Sequence, residues 1–274
     1  MKTPINTDPF IFRWKVNEAG YQWVNGIMDG KPHLVRRLDP GKGAMEIEPA
    51  KEAFAEFAKL DSTQDEIKEF ADKHGDLFDS YSEPDHVAHD GTVSGGASLK
   101  RWQSEIGDMR VLFELWENIG NRRFAELRKI IRWLKTKDDH RSVNYLIETP
   151  RRRRDQMLAH TRISKGLLSR FAGDNGLLFA ARCALMQEIN LRLIEHSTVP
   201  ALSWTPDYHE RLVFKPPHFL AAMWLQFAQA LTGEFGIKRC LACGRFVQIG
   251  PGGRRADFKT CGAACRKRKS RNQE

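Results

Sequence analysis

Apolar or aromatic residues at Phe10, Phe12, Trp14 and Val16 recur with a period of two, which predicts a strand. The next stretch, YQWVNGIMDGKPHLVRRL, carries turn signals at Asn25-Gly26 and Asp29-Gly30. Residues 10–38 therefore predict a small antiparallel sheet or hairpin. The period then changes. Residues 50–60 and 63–74 read as helices, the second with Ser62 as its cap and Glu66 near its first turn. Residues 75–98 carry Gly, Ser, Asp and Pro without a helical stripe, and predict a linker.

The longest periodic stretch is 99–136. Trp102, Ile106, Met109, Leu112, Phe113, Trp116, Phe124, Leu127, Ile130, Ile131 and Leu134 fall on one helical face. Ser98 is its candidate N-cap, and Gly120 is where it splits or kinks. Its second half exposes Arg122, Arg123, Arg128, Lys129, Arg132 and Lys135, read as a solvated face or a second phosphate contact. A further helix spans Gly176–His196, and Arg211–Phe214 reads as a short strand. Pro217 opens an apolar helix ending at Gly233; it is apolar nearly all round, so it belongs in a core. No internal repeat is present.

Charge changes this picture. The chain has 274 residues and a formal charge of +9. Residues 236–274 hold eleven bases and two acids, so the whole excess lies there. The other 235 residues balance at 33 of each sign, enough chain to bury a substantial core as one large domain or two smaller ones. A uniformly basic coat is excluded. Residues 45–90 run the other way, with fourteen acids and four lysines. They read as a solvated helical surface, or as a face that covers the basic tail when nucleic acid is absent. Arg151–Arg154 reads as a surface loop or helix start, because four adjacent cations rarely sit buried.

Four of the five cysteines lie within 26 residues: Cys240, Cys243, Cys261 and Cys265. The chain starts without an apolar signal segment, so clustered cysteines favour a metal over disulfides. The pattern is C-x2-C, seventeen residues, then C-x3-C. Two intervening residues let both sulfurs wrap one ion, and Gly244 suits the tight turn that follows. Three intervening residues put Cys261 and Cys265 one helical turn apart. Four thiolates fill a tetrahedral Zn²⁺ and leave no open position, so the zinc is expected to be structural. The order knuckle, hairpin, helix suggests a treble clef, with its tip at Gly250–Gly253 and Phe246 and Phe258 as its small core. The last helix continues as Arg266-Lys-Arg-Lys-Ser-Arg271, a basic rod suited to phosphate. Candidate nucleic-acid contacts are Arg254, Arg255, Lys259, Arg266, Lys267, Arg268, Lys269 and Arg271. The remaining thiol, Cys183, lies among apolar residues and reads as buried and inert. His86 and His89, with Asp85 and Asp90, stand in the linker and are a weak metal signal.

The expected fold is mostly α with a small N-terminal antiparallel β element and a C-terminal treble-clef zinc finger. The expected divisions are 1–98, 99–235 and 236–274.

The segment CLACGRFVQIGPGGRRADFKTCGAACRKRKSR resembles the C-terminal zinc finger of bacterial proteins of the CGNR kind. The matching positions are Cys240, Cys243, Gly244, Phe246, Arg255, Asp257, Cys261, Cys265 and Arg266, with Phe246 one residue nearer the glycine. The literal Cys-Gly-Asn-Arg is absent, and Cys265 is followed by Arg-Lys-Arg. The resemblance covers about 35 residues. It implies DNA binding and a transcriptional regulatory role.

No nucleophile elbow, HExxH, phosphate-binding loop or dinucleotide fingerprint occurs in its context, and the expectation is not an enzyme. The expected partner is nucleic acid, DNA before RNA, with a possible protein partner or homodimer through the helical body. The alternative is a protein-interaction module whose finger docks a partner or the acidic region. No apolar run is long enough for a membrane helix, so a cytoplasmic protein is expected, nucleoid-associated if bacterial.

Overall fold

A computed structural model describes residues 14–26, 29–39, 41–47, 52–78, 86–87, 93–94, 96–135, 141–160, 169–204, 210–233, 236–250, 254–255 and 257–271. Among them the chain is mixed, with seven helices and strands paired in separate two- and three-stranded antiparallel sheets. The expectation of a mostly α body with one small β element is therefore overturned. Two compact units are present: residues 1–56, 60–102 and 192–274 form one, and residues 57–59 and 103–191 the other. No helix among the described residues is long and apolar enough to cross a membrane.

In the first unit, β1 (Trp14–Asn17) pairs with β4 (Ala44–Ile47). A separate sheet joins β2 (Tyr21–Asn25), β3 (Pro32–Arg36) and β7 (Ala97–Ser98). The hairpin predicted from the turn signals is thus β2–β3, but the period-two run at Trp14 goes to another sheet. Phe10 and Phe12 lie outside the described residues. Between these strands come α1 (Ala53–Phe57), shorter than expected, and α2 (Gln64–His74). The cap of α2 is Thr63, not Ser62: Thr63 Oγ1 accepts from the Glu66 amide at 3.3 Å, and Ser62 sits at φ 62°. Glu66 reaches back to the Asp61 amide at 2.6 Å. The linker contains two short paired strands, β5 (His86–Val87) and β6 (Val93–Ser94). Asp85, His89 and Asp90 lie outside the described residues.

The first unit packs around α6 (Phe219–Thr232), which buries nine positions around its circumference, as its apolar sequence predicts. Its cap is His218, whose Nδ1 accepts from the Ala221 amide at 3.1 Å; Pro217 precedes the cap and so does not start the helix. Phe219 stacks with Trp14 and Phe70, both at 6.2 Å between ring centroids. Phe54 stacks on Phe227 at 4.8 Å. The ribbon β11 (Val199–Trp204) with β12 (Glu210–Lys215) belongs to this unit. The sequence showed only its second strand, because Pro200 and Ser203 mask the first.

The predicted helix over 99–136 ends early. It divides into α3 (Leu99–Gly120), whose first turn falls in the first unit, and α4 (Phe124–Ile130). Ser98 does cap α3, its Oγ lying 3.3 Å from the Arg101 amide. Ile131–Lys135 is then strand β8, in a sheet ordered β10–β9–β8 with β9 (Arg141–Glu148) and β10 (Arg153–His160). Ile131, Arg132, Trp133 and Leu134 suit both periods, and pairing with β9 decides the outcome. The expected basic stripe is consequently broken up. Arg128 pairs with Asp174 at 2.8 Å, and Lys129 with Glu126. The last element of the second unit is α5 (Gly173–Glu195), whose final residues pass into the first unit. It carries Cys183, which is half-buried; burial raises its thiol pKa.

The arginine run is also not a plain surface loop. The Arg151 guanidinium forms an ion pair with Glu105 at 2.7 Å, and Glu105 is fully buried on α3. Arg154 lies 3.4 Å from Glu188, 1 % exposed on α5. The Glu188 carboxylate also lies 2.9 Å from the Tyr145 hydroxyl. Burial and that carboxylate push the phenol pKa well up. The run starts at a β-turn, so two of its cations turn inward while Arg153 faces solvent.

Two outcomes test this interior. Arg151→Ala leaves Glu105 buried without its guanidinium, and is expected to destabilise the second unit by about 3 kcal/mol in denaturant unfolding. Glu56 is partly desolvated, which opposes its charge, but hydrogen bonds from His74 and Lys73 prevail and hold its pKa at about 2. A depressed carboxylate pKa adds stability above the unfolded value, and that stability is lost as pH falls toward 2. Glu56→Gln is therefore expected to flatten the acid limb of stability between about pH 4.5 and pH 2, read from denaturant unfolding across that range.

Candidate metal centre

The tail begins as a hairpin. Strand β13 (Gly236–Arg239) pairs with β14 (Phe246–Ile249), with Arg239 opposite Phe246. The connecting loop is Cys240–Arg245. It closes through Cys240 N to Arg245 O at 2.8 Å and Gly244 N to Cys240 O at 2.9 Å. Gly244 takes φ 72°, a conformation that disfavours a side chain, which explains a glycine directly after the second cysteine. The hairpin therefore forms across the knuckle. Of the expected tip, Gly250 turns at φ 99° and residues 251–253 lie outside the described residues.

The return path brings the second pair to the first. Leu241 N donates to Lys259 O at 3.0 Å, and Cys261 N donates to Cys240 Sγ at 3.3 Å. Helix α7 (Ala263–Arg271) then starts, with Cys265 in its first turn. All four sulfurs lie within 4.8 Å of one another. Cys261 Sγ is 3.5 Å from Cys243 Sγ and 3.3 Å from Cys265 Sγ. A tetrahedron with metal–sulfur bonds of about 2.3 Å has edges of about 3.8 Å, so the donor set fits one ion. Cys240, Cys243, Cys261 and Cys265 thus stand where the spacing put them.

Burial makes the same point. Among the described residues of 236–271, only Cys240 and Cys265 are buried, at 2 % and 9 % exposure. Phe246 and Phe258 are only half-buried, so they do not make the apolar core expected of them. The Phe246 ring instead carries the Arg239 guanidinium at 4.8 Å. The segment has thiols where a domain has a hydrophobic centre, and a metal would supply the missing cohesion.

The sulfurs are electrostatically unequal. Burial opposes ionisation of Cys240, but the amides of Ala242, Cys261 and Cys243 outweigh it and bring its pKa to about 6. Cys243 is also lowered, by the Arg245 amide and then the Arg245 side chain. Cys265 is raised to about 12, chiefly by the neighbouring Cys261 sulfur. Cys261 is raised as well: Cys265 favours its ionised form, but Cys243 and Cys240 together oppose it. Without a cation the cluster holds back part of its ionisation, and a divalent ion would displace the retained protons.

Arg245 is the residue that sequence reasoning missed. Its guanidinium lies against Cys243, which raises its own pKa. Its place directly after Cys-x2-Cys-Gly was the available signal. Of the expected phosphate contacts, Arg254, Arg255, Lys259, Arg266, Lys267 and Arg268 are exposed. Arg254 donates to Cys261 O at 3.1 Å, and Arg255 faces Asp257 at 3.4 Å. Lys269 and Arg271 continue along α7. The structure places these cations around the four-sulfur centre and along its helix.

No family model matches the chain, and no curated protein or solved structure is found similar to it.

Metal uptake by this cluster is expected to release protons. Its affinity should therefore fall by more than about tenfold between pH 7 and pH 5, read by competition with a chromophoric chelator. A pH-independent affinity would contradict four-thiolate ligation. Cys261→Ser removes the sulfur nearest two others, and should abolish binding while the helical signal of the rest is kept.

Proposed function

We propose that the tail holds one structural zinc ion in a treble-clef, CGNR-like finger and presents α7 to nucleic acid, with duplex DNA as the first partner. The observation that supports this most is the coupling of site and charge: Cys265 anchors the same helix that displays Arg266, Lys267 and Arg268 to solvent. Arg255 and Lys259 are exposed on the approach to it. A helix fixed at one end loses less freedom on meeting phosphates than a free basic tail does. Zinc is preferred to iron because the role is cohesive and needs no electron transfer. A colourless protein with close to one zinc per chain supports it, and a red iron-bearing one refutes it.

In this reading the rest of the chain senses, dimerises or binds a partner, and regulates transcription through the tail; no catalytic role is assigned to it. A second reading rests on Leu241, 65 % exposed at the knuckle, which suits docking to a protein.

Fluorescence anisotropy on a labelled duplex separates the two. With about five phosphate contacts, log affinity should fall against log salt with a slope near −4 to −5. Replacing Arg266, Lys267 and Arg268 by Ala should cut that slope by about three. Salt-independent binding, or binding unchanged in the zinc-loaded triple variant, would leave the protein-docking reading in its place.

A further inference from the structure

The four ligands divide into two kinds. Cys240 and Cys265 are buried, while Cys243 and Cys261 are half-exposed. The two accessible sulfurs are also neighbours, 3.5 Å apart. One belongs to the knuckle and the other to the approach to α7. No buried apolar side chain among the described residues of 236–271 remains to hold these pieces together when the ion goes.

We propose that the metal centre is a redox switch: peroxide joins Cys243 to Cys261 in a disulfide, the ion leaves, and α7 loses its anchor. This rests on the zinc reading above. The oxidant is hydrogen peroxide or another two-electron peroxide. Cys243 thiolate attacks one peroxide oxygen, the O–O bond breaks, and hydroxide departs, leaving a sulfenic acid. Cys261 thiolate then attacks that sulfur, the S–O bond breaks, and a second hydroxide leaves as the S–S bond forms. Two thiolates are oxidised by two electrons in all, and one peroxide is reduced to two hydroxides. Zinc keeps only the Cys240 and Cys265 thiolates, half of a structural set.

Cys243, on the knuckle, is assigned as the first sulfur to react because it is half-exposed, as is Cys261, while Cys240 and Cys265 are buried. Cys261 is the resolving partner because its sulfur is already near contact distance. The disulfide tethers knuckle to helix start in a geometry that no longer wraps an ion, so the change reaches the basic surface without altering any of its cations. Thiol reductant and zinc restore the original state.

The test uses the full zinc-loaded chain carrying Cys183→Ser, which removes the one thiol outside the cluster. Hydrogen peroxide is added in sub-stoichiometric steps, zinc release is followed with a chromophoric chelator, and products are mapped by peptide mass. Release is expected to track the loss of two thiols, with Cys243 linked to Cys261, and reductant plus zinc should restore full occupancy. Cys243→His keeps four ligands and should slow release by about tenfold; if that variant does not hold zinc, Cys261→His makes the same comparison. Zinc retained under excess peroxide overturns the switch, as does release only through sulfinic or sulfonic products that reductant does not repair. A disulfide confined to Cys240 and Cys243 overturns the assigned pair. A chain that carries no zinc before oxidant is added overturns the metal reading itself, and so is distinguishable from failure of the switch alone.

Discussion

The tail depends on the convergence of four sulfurs. Its described residues bury only Cys240 and Cys265, and its two phenylalanines stay half-exposed. A segment this short cannot offset chain entropy with so little burial. Backbone bonds close the knuckle and tie Leu241 to Lys259, but each adds only about 1 kcal/mol net. Placement of α7 relative to the knuckle follows from the shared centre, and Arg266, Lys267 and Arg268 take their positions from that helix. Cohesion, geometry and charge display therefore meet at one site.

The second unit solves a different problem. Glu105 and Glu188 are buried carboxylates on two helices, and each meets an arginine from the turn or strand of β9–β10. Such pairs contribute little net stability, because desolvation offsets the attraction. Each contact ties the β9–β10 turn or strand to one of the helices, through Arg151 to α3 and through Arg154 to α5. The first unit relies on aromatic stacking around α6 instead.

Much of the candidate site was legible in the sequence, because metal ligation is written in local spacing. C-x2-C-G needs one turn of backbone, and C-x3-C needs one turn of helix. Both are short-range; the first appears as read, whereas Cys261 lies just before α7 and only Cys265 is on the helix, with the two sulfurs still 3.3 Å apart. Arg245 was harder to see, since a cation after Gly244 has no marked meaning until its side chain is found against Cys243. The fold was less legible. The apolar positions of 131–134 fit a helix stripe as well as a strand, and only β9 alongside decides between them. The first strand of the β11–β12 ribbon is disguised by Pro200, which an edge strand tolerates.

By itself the sequence determined the four candidate ligands, the placement of the whole charge excess on 39 residues, and the all-round burial of the helix after Pro217. These follow from local spacing and composition, which need no partner. Tertiary structure alone decided the mixed fold, the inward turn of Arg151 and Arg154, and the inequality of the four thiols. Each of those depends on groups far apart in sequence: a neighbouring strand, a buried carboxylate, or which sulfur faces solvent.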